Sequence, residues 1–377
     1  MRAIDAPRMP FFEIASRVWE VLTRRVDNFL FGCAMMLVGV GLVTLFSAAD
    51  QSIARVTNQV MSLGFALVLM WIVANIPPQT LSRVAVPLYV IGVLLLVGVA
   101  VFGIVVNGSR RWLSLGIVRI QPSELMKIAV PLMLAWYFQK FEGRIRWQDF
   151  VIAAILIVVP VYLIKRQPDL GTALLIAASG FYVLFLAGLS WKVIGGLVVA
   201  GAAAAPLAWT QMHGYQRERI LSFIDPSRDP LGTGYHSTQA SIAIGSGGVI
   251  GKGWLNGTQA QLDFVPERST DFILAVFGEE FGLVGNIVLI VLYLLIIGRG
   301  LMIAANASTV FARLTAGAIT LTFFTYAFVN MGMVSGILPV VGVPLPMISY
   351  GGTALLSILA GMGILMSIST HKQLVAS

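Results

Sequence analysis

The chain has 377 residues, of which 58% are hydrophobic and 11% are charged, and its formal net charge is +8. A soluble domain carries roughly 45–50% apolar and about 25% charged residues, so this composition excludes a soluble domain. The surplus apolar surface is expected to face lipid. The basic residues lie in short clusters between apolar runs, which argues against nucleic-acid binding and favours anionic lipid or phosphate.

Ten apolar runs follow one another along the chain, each close to the roughly 20 residues that a membrane span needs. We therefore predict an all-α, polytopic membrane protein that forms a single domain over 1–377. It has a polar N-terminal arm, 1–28, and one long extracytoplasmic loop, 212–271. The first span is too long for the apolar core of a signal peptide. The predicted spans are 29–49, 57–76, 84–106, 124–140, 149–165, 170–189, 193–211, 272–298, 314–334 and 347–369.

Basic residues in the short loops predict the orientation. The arm, with Arg24 and Arg25, and the loop after Lys140 favour cytoplasmic N- and C-termini. Other basic residues, among them Arg110 and Arg111, then lie on the outer side, contrary to the positive-inside rule. They are candidates for binding an anion there.

The outer segment 107–123 reads NGSRRWLSLGIVRIQPS and contains Arg110, Arg111 and Trp112. Two guanidinium groups suit phosphate oxygens, and a tryptophan suits a sugar face or the membrane interface. The alternative is that these side chains only anchor the loop in the interface. The next span begins with Glu124 and Lys127, which share one helix face. They form either a structural ion pair or the lining of a polar cavity, and both roles are compatible.

Asp169 belongs to a further outer charge cluster, and Arg217 and Arg219 open the long loop. Loops of this length are uncommon unless they are functional. The stretch STQASIAIG, 237–245, predicts a short helix at the interface. The glycine-rich stretch 245–253 fails the phosphate-loop pattern, because Ser246 replaces its first glycine and Gly253 follows its lysine. It predicts a flexible turn that permits close backbone approach.

The segment FVPERSTDFILAVFGEE brings Glu267, Arg268 and Asp271 to the start of the eighth span. Asp271 is either an N-terminal cap, favoured by the helix dipole, or a general base at the edge of a cavity. Glu279 and Glu280 lie about two turns deeper, where we expect at least one to face protein or water. The three histidines are far apart, so no metal site is predicted.

Several ordered motifs cover nearly the whole chain: RRWLSLGIVRIQPSELMKIAVPL at 110–132, QPDLGTALL at 167–175, DPLGTGYHSTQASIAIGSGGVIGKGW at 229–254, PERSTDFILAVFGEEFGLVG at 266–285 and NMGMVSGILPVVGVPLPMISYGGTALL at 330–356. Together they resemble the SEDS family (shape, elongation, division and sporulation). The triplet PER is similar to its elongation type, although Ser269 stands where that type usually has histidine.

The resemblance implies a glycosyltransferase that polymerises lipid II into peptidoglycan during cell elongation, at the periplasmic side of the bacterial inner membrane. It assigns Asp271 as the essential aspartate and Glu124 and Lys127 as the intramembrane polar pair. Predicted substrate contacts are Arg110, Arg111, Trp112, Gln121, Ser123, Glu124, Lys127, Asp169, Arg217, Arg219, Glu267 and Arg268. A divalent cation, Mg²⁺ or Mn²⁺, remains open.

The implied partners are a class B penicillin-binding protein, which crosslinks the strands, and other membrane proteins of the elongation complex. Ser123 and Lys127 are one residue too far apart for a Ser-x-x-Lys acylation motif, so this chain is not predicted to be the transpeptidase. Two alternatives are a lipid II flippase and a non-catalytic scaffold of the elongation complex.

Overall fold

The computed structural model describes residues 24–106, 109–114, 119–212, 214–225, 233–262, 264–265 and 267–371, so most of the N-terminal arm 1–28 lies outside the described residues. The described part contains ten long helices and three shorter ones. The long helices are α1 (Asn28–Ala48), α2 (Ile53–Asn75), α3 (Pro78–Phe102), α4 (Pro122–Lys140), α5 (Trp147–Lys165), α6 (Leu170–Leu186), α7 (Trp191–Gln211), α11 (Ile273–Ala305), α12 (Val310–Val334) and α13 (Gly352–Thr370).

These ten helices match the ten predicted spans one by one, which confirms a polytopic helical membrane protein. Seven of the ten are long and apolar enough to cross a membrane: α1, α2, α3, α5, α11, α12 and α13. The apolar parts of α6 and α7 are shorter, and α4 carries the charges of Glu124, Lys127 and Lys140.

Several predicted boundaries were wrong by four or more residues, among them the start of α3, which is Pro78 instead of 84. α3 ends at Phe102 instead of 106, because Gly103 leaves the helix and a strand follows it. α11 continues to Ala305 instead of 298. α13 begins at Gly352 instead of 347, because 340–351 forms an irregular loop before it.

A small antiparallel sheet was not predicted by the all-α assignment. Its strands are β1 (Ile104–Val106), β2 (Ser109–Ser114) and β3 (Arg119–Ile120), in the order β1-β2-β3. Val105 pairs with Arg110, and Leu113 pairs with Ile120. β-branched and aromatic residues favour strands. In its described part, the predicted outer loop 107–123 is therefore largely a folded sheet between α3 and α4.

Short polar side chains cap several helices and explain where these helices begin. Asp27 accepts a hydrogen bond from the Leu30 N–H, and Thr309 accepts one from the Ala312 N–H. Ser52 and Ser190 cap α2 and α7 in the same way. These bonds satisfy amide groups that have no partner within the helix.

The core is built around α4, α11, α12 and α13, whose inward faces are buried. α2 packs along α13, where a Cβ atom added at Gly363 would lie 2.5 Å from the Met70 carbonyl oxygen. That approach requires glycine, because any larger residue would push the two helices apart. By contrast, α7 has no buried residue among those whose side chains are described.

The first and last helices end at the same face of the bundle. Ser369 near the end of α13 donates a 2.7 Å hydrogen bond to Asp27 at the start of α1. Arg299 of α11 joins the same carboxylate at 2.6 Å. The described ends of the chain therefore lie on one side, as ten spans require; that this side is cytoplasmic stays a prediction.

The predicted long loop, 212–271, contains three helices: α8 (Gly214–Ile224), α9 (Thr233–Ser246) and α10 (Thr258–Gln261). The predicted interfacial helix, 237–245, falls within α9, which packs against α11. The segment is therefore a folded layer in its described part, and it contains the predicted short helix.

The glycine-rich turn after α9 is fixed against α11. A Cβ atom at Gly251, where φ is +87°, would lie 2.1 Å from the Glu280 carbonyl oxygen. α11 leaves the helical conformation at Gly282, and the Leu283 N–H there donates to the Gly248 carbonyl oxygen. The close backbone approach predicted for this turn is confirmed. The turn is not flexible as predicted, because these contacts anchor it to α11.

Glu279 and Glu280 are both buried at this turn, as expected for charges that face protein. Lys252 lies 2.7 Å from Glu279, and the Gln259 N–H donates to the same carboxylate at 2.9 Å. Glu280 accepts from the Ser47 hydroxyl and from the Leu255 N–H. The two carboxylates attach the segment before Asp271 to α11.

Candidate active site

The segment that contains Asp271 is held by the loop 340–351. The Asn330 amide of α12 donates to the Asp271 carbonyl oxygen at 2.8 Å and to the Val343 carbonyl oxygen at 2.7 Å. The Ser349 hydroxyl donates to the Thr270 carbonyl oxygen at 2.6 Å. α12 and the loop 340–351, both distant from Asp271 in sequence, thus fix the backbone at Asp271.

Asp271 lies before α11 and does not cap it. The N-cap position belongs to Phe272, no side chain caps this helix, and the helix begins at Ile273. The cap alternative was therefore wrong. A Cβ atom added at Gly342, where φ is +76°, would lie 3.4 Å from the Asp271 carboxylate oxygen Oδ2. The half-buried carboxylate therefore lies against a glycine of the loop.

Arg111 and Asp169 form a second charged group. One guanidinium nitrogen lies 3.4 Å from the Asp169 carboxylate, and another donates to the Pro168 carbonyl oxygen at 3.2 Å. Asp169 also caps α6 by accepting from the Thr172 N–H. Arg111 Nε and Asp169 Oδ2 are buried without a hydrogen bond among the described residues. The Arg111 side chain is partly exposed, so its guanidinium group can meet a polar ligand from the solvent side.

The start of α6 packs on the same loop that contacts Asp271. A Cβ atom at Gly171 would lie 2.9 Å from the Val341 carbonyl oxygen, one residue before Gly342. The loop segment 341–343 therefore lies between Asp271 on one side and the Arg111–Asp169 pair on the other. This arrangement places the Asp271 carboxylate and the Arg111–Asp169 ion pair at a shared loop.

The predicted polar pair of α4 is an ion pair at the end of an apolar cavity. Lys127 lies 2.7 Å from Glu124, whose second oxygen accepts from the Ser357 hydroxyl at 2.6 Å. The lysine ammonium lies 5.1 Å from the centre of the Tyr326 ring. The cavity has an empty volume of about 540 Å³. Its lining includes Lys127, Tyr326, Ser357, Ile296, Phe323 and Met362.

This cavity adjoins the loop at Asp271, because Tyr326 packs with Val343. Tyr326 also lies within electrostatic range of Asp169. Both interpretations of Glu124 and Lys127 agree with the geometry, since the pair joins α4 to α13 and Lys127 lines the cavity.

Four predicted contacts lie on the sheet or at the start of α4. Arg110 points away from Arg111 and donates to the Ala100 carbonyl oxygen at the end of α3. Alternation along β2 explains this divergence. Trp112 is half-buried, Gln121 occupies the N-cap position of α4, and Ser123 is buried. The structure thus separates the two arginines that the sequence grouped.

Four other predicted contacts are engaged elsewhere in the structure or lie outside its description. Arg217 donates to the carbonyl oxygens of Trp209 and Thr210 at the end of α7. Glu267 accepts from the Thr270 hydroxyl, and Arg268 pairs with Asp50. The side chain of Arg219 lies outside the described residues. A direct contact of these four with substrate stays a prediction.

Four residues at the site were missed by the sequence interpretation: Asn330, Ser349, Tyr326 and Ser357. Asn330 and Ser349 stand in a quoted motif, but no role was assigned to them. A polar side chain inside an apolar span is a signal, because it needs a partner there. That signal marks Asn330, although it does not identify Asp271 as the partner.

The described residues contain no group of three His, Cys, Asp or Glu side chains that could hold a metal ion. The question of Mg²⁺ or Mn²⁺ therefore stays open at this site.

Comparison with known proteins places this geometry in a family. The family model described as "Cell cycle protein", for FtsW, RodA and SpoVE, matches residues 25–374. The peptidoglycan glycosyltransferase MrdB of Escherichia coli is 52% identical over 335 residues, which cover 89% of this chain and 90% of that protein.

Two solved structures agree with the fold. One is described as "Structural coordination of polymerization and crosslinking by a peptidoglycan synthase complex". It has a TM-score of 0.80 and 32% identity, and the match covers 92% of this chain and 99% of that one. The rod shape determining protein RodA of Thermus thermophilus has a TM-score of 0.70 and 30% identity, with 92% and 98% coverage. The chain belongs to the SEDS family.

Proposed function

We propose that this chain is a peptidoglycan glycosyltransferase that polymerises lipid II at the periplasmic face of the bacterial inner membrane, with Asp271 as general base. The observation that carries the proposal is the position of Asp271. Its backbone is fixed by Asn330, and its carboxylate lies against the loop that also contacts the Arg111–Asp169 pair. The similarity to MrdB supports the activity.

The reaction needs a base and a counter-charge on opposite sides of one carbon. The acceptor's sugar hydroxyl attacks the anomeric carbon of the donor, and Asp271 takes the hydroxyl proton. The new glycosidic bond forms as the bond to the α-linked pyrophosphate breaks. Undecaprenyl pyrophosphate leaves with the bonding electrons, and the β-linked product requires this inversion.

Arg111 is the best-placed cation for the departing pyrophosphate. It is partly exposed, and its Nε has no hydrogen bond among the described residues. A guanidinium group matches phosphate oxygens in a bidentate way. Preorganised positive charge lowers the barrier most where negative charge develops. A Mg²⁺ or Mn²⁺ ion carried by the pyrophosphate would add positive charge beside Arg111.

The apolar cavity beside Lys127 supports a lipid-linked substrate. Its walls are mostly aliphatic and aromatic, and its polar lining residues are Lys127, Tyr326, Ser357, Thr320 and Thr322. Such a cavity suits part of an isoprenoid chain whose pyrophosphate stays near Asp271. The Glu124–Lys127 ion pair would then mark the boundary between the apolar and the polar parts of the substrate.

The proposed partner is a class B penicillin-binding protein, within a larger elongation complex. The similarity to a solved peptidoglycan synthase complex, whose description names both polymerisation and crosslinking, supports this. This chain would supply the polymerisation, and the partner would supply the crosslinking.

One reconstitution tests the proposed function against its alternatives. The full chain and its partner are placed in liposomes with fluorescent lipid II, and transpeptidation is blocked with a β-lactam. Polymer on a gel supports the glycosyltransferase. Movement of lipid II across the bilayer without polymer would instead indicate a flippase, and neither result would indicate a scaffold.

A further inference from the structure

A polar cavity lies at the end of the bundle opposite Asp271, and we name it the distal pocket. Its empty volume is about 730 Å³, and its lining includes Gln79, Ser82, Arg83, Gln139, Ser308 and His371. It meets α12 at Thr309, whereas Asn330 on the same helix contacts Asp271. At ~1.5 Å per residue these ends are about 30 Å apart, close to the thickness of the hydrocarbon core.

The distal pocket has a cationic side chain, and its lining contains no carboxylate among the described residues. Arg83 is exposed on α3 at its rim. No ion pair or hydrogen bond engages the Arg83 side chain within the part of the chain that the structure describes. An unpaired guanidinium group at a polar cavity is suited to an anion, and its planar donors match phosphate oxygens.

Two helices begin at the distal pocket, and both add positive potential. α3 begins at Pro78 and α12 begins just after Thr309, and both of these residues line the cavity. The first N–H groups of a helix favour negative charge. The hydroxyl groups of Ser82 and Ser308 supply further donors.

One buried acceptor at the distal pocket has no partner. The carbonyl oxygen of the Gln139 side chain, on α4, is buried without a hydrogen bond in the described structure. Buried polar atoms are nearly always hydrogen-bonded in proteins, and Gln139 lines the pocket, so a small rotation of its side chain would bring this oxygen to a donor on an occupant. The occupant would therefore carry a hydroxyl or ammonium group in addition to its anion.

We propose that the distal pocket binds a phosphate ester that also carries a hydroxyl or amine group. Arg83 and the two helix N-termini would receive the phosphate, and Gln139 would accept a hydrogen bond from the hydroxyl or amine. Two sources offer this chemistry: the headgroup of a phospholipid in the adjacent leaflet, and a soluble phosphate monoester. The pocket lies outside the glycosyl-transfer site, so its occupant is a ligand distinct from the pyrophosphate at Asp271.

Native mass spectrometry of the purified full chain in detergent tests this proposal, because it measures which ligands stay bound. The probes are dioleoyl phosphatidylglycerol, dioleoylglycerol and glycerol 3-phosphate. We expect phosphatidylglycerol or glycerol 3-phosphate to bind, and the one that binds identifies the source. Dioleoylglycerol shares the acyl chains but lacks the phosphate, and we expect no occupancy by it.

A matched pair of arginine variants places the ligand. Arg83→Ala should weaken binding about tenfold or more, because it removes a charged hydrogen-bond donor. Arg313→Ala loses the same charge from an exposed position on α12 that does not line the pocket, so it should leave binding nearly unchanged. Equal weakening by both variants would show diffuse surface attraction and would overturn the proposal.

Two further variants change the polar lining of the distal pocket. Ser82→Asp adds a carboxylate to the lining and should abolish binding of the phosphate probe. Gln139→Leu should weaken glycerol 3-phosphate more than inorganic phosphate, because only glycerol 3-phosphate carries alcohol hydroxyl groups that reach beyond its phosphate. A melting temperature for each variant shows that it is folded. Equal binding of phosphatidylglycerol and dioleoylglycerol, or unchanged binding in folded Arg83→Ala and Ser82→Asp, would refute the proposal.

Discussion

The Asn330 side-chain amide donates to the Asp271 carbonyl oxygen at 2.8 Å, across 59 residues of sequence. Its second donor bond reaches the Val343 carbonyl oxygen, so one fully buried side chain joins α12, the start of α11 and the loop 340–351. The orientation of the Asp271 carboxylate therefore depends on a residue that need not touch the substrate.

Replacing Asn330 by Asp tests this positioning role. The variant keeps the size of the side chain but removes both N–H donors, so the Asp271 carbonyl oxygen loses a partner. Displacement of a reacting group by about 1 Å costs roughly 100-fold in rate, so we expect kcat to fall about 10–100-fold with KM little changed. Initial rates against lipid II concentration separate the two constants.

The control is Thr315→Val, which alters a buried polar side chain on the same helix far from Asp271. It should retain the wild-type kcat. If Asn330→Asp and Thr315→Val lower kcat equally, Asn330 has no specific effect on Asp271.

The Glu124–Lys127 ion pair is largely buried, and its two proposed roles predict different double variants. Glu124→Gln or Lys127→Met alone should cost about 3–5 kcal/mol of stability, because each leaves an unpaired buried charge. The double variant removes both charges and should regain most of that stability.

If the pair also binds substrate, the double variant stays inactive although it is folded. Thermal unfolding and polymer yield, measured on all three variants, separate the roles; a stable and fully active double variant would contradict a role in substrate binding.

Arg110 and Arg111 are adjacent, carry the same charge and point in different directions. Arg111→Glu should raise the KM for lipid II about tenfold or more, because it replaces the guanidinium group that donates hydrogen bonds to the pyrophosphate by a second carboxylate beside Asp169. Its melting temperature should change less, because Arg111 is partly exposed and the Asp169 carboxylate keeps its hydrogen bond from the Thr172 N–H. Arg110→Glu is the matched control and should affect KM less. Parallel losses of affinity and stability in Arg111→Glu would favour the anchor interpretation.

Asp27 provides a pH test at the opposite end of the bundle. Burial opposes its ionisation, but hydrogen bonds from Arg299, Ser369 and the Leu30 N–H outweigh burial and hold its pKa below the ordinary 3.8. The ionised carboxylate therefore stabilises the folded chain fully when the pH is above 3.8. This stabilisation is lost as the pH falls through the lower pKa that Asp27 has in the folded chain.

We expect Asp27→Asn to melt at a lower temperature than the wild-type chain near neutral pH. The difference should narrow once the pH falls below the ordinary value of 3.8. Glu142→Gln, at an exposed position, should show no such difference at any pH. A gap between Asp27→Asn and wild type that grows on acidification would contradict the sign of this pKa shift.

Much of the fold could be predicted because lipid imposes long apolar runs, and each of the ten runs became a helix. The ends of α3 and α11 could not be predicted from the sequence. Local apolarity does not show where a strand begins or how far a helix continues beyond the bilayer. The sheet at 104–120 was missed because its strands are only two to six residues long.

The site shows the same division. Asp271, Glu124 and Lys127 were found because charges near hydrocarbon are costly and because ordered motifs identified a family. Their partners could not be read from the chain. Ser357 lies 233 residues from Glu124, and Gly342 reaches Asp271 only through the fold. Arg110 and Arg111, adjacent in sequence, were separated by the alternation of β2.

The central claim is that Asp271 is the general base of glycosyl transfer, and Asp271→Asn tests it most directly. The variant is nearly isosteric, so its melting temperature should match the wild type. The initial rate of glycan formation from labelled lipid II, with the partner present and crosslinking blocked, should fall about 10²–10⁴-fold. Glu142→Gln serves as the folded, active control. Folded Asp271→Asn protein that polymerises lipid II at the wild-type rate would contradict the assignment.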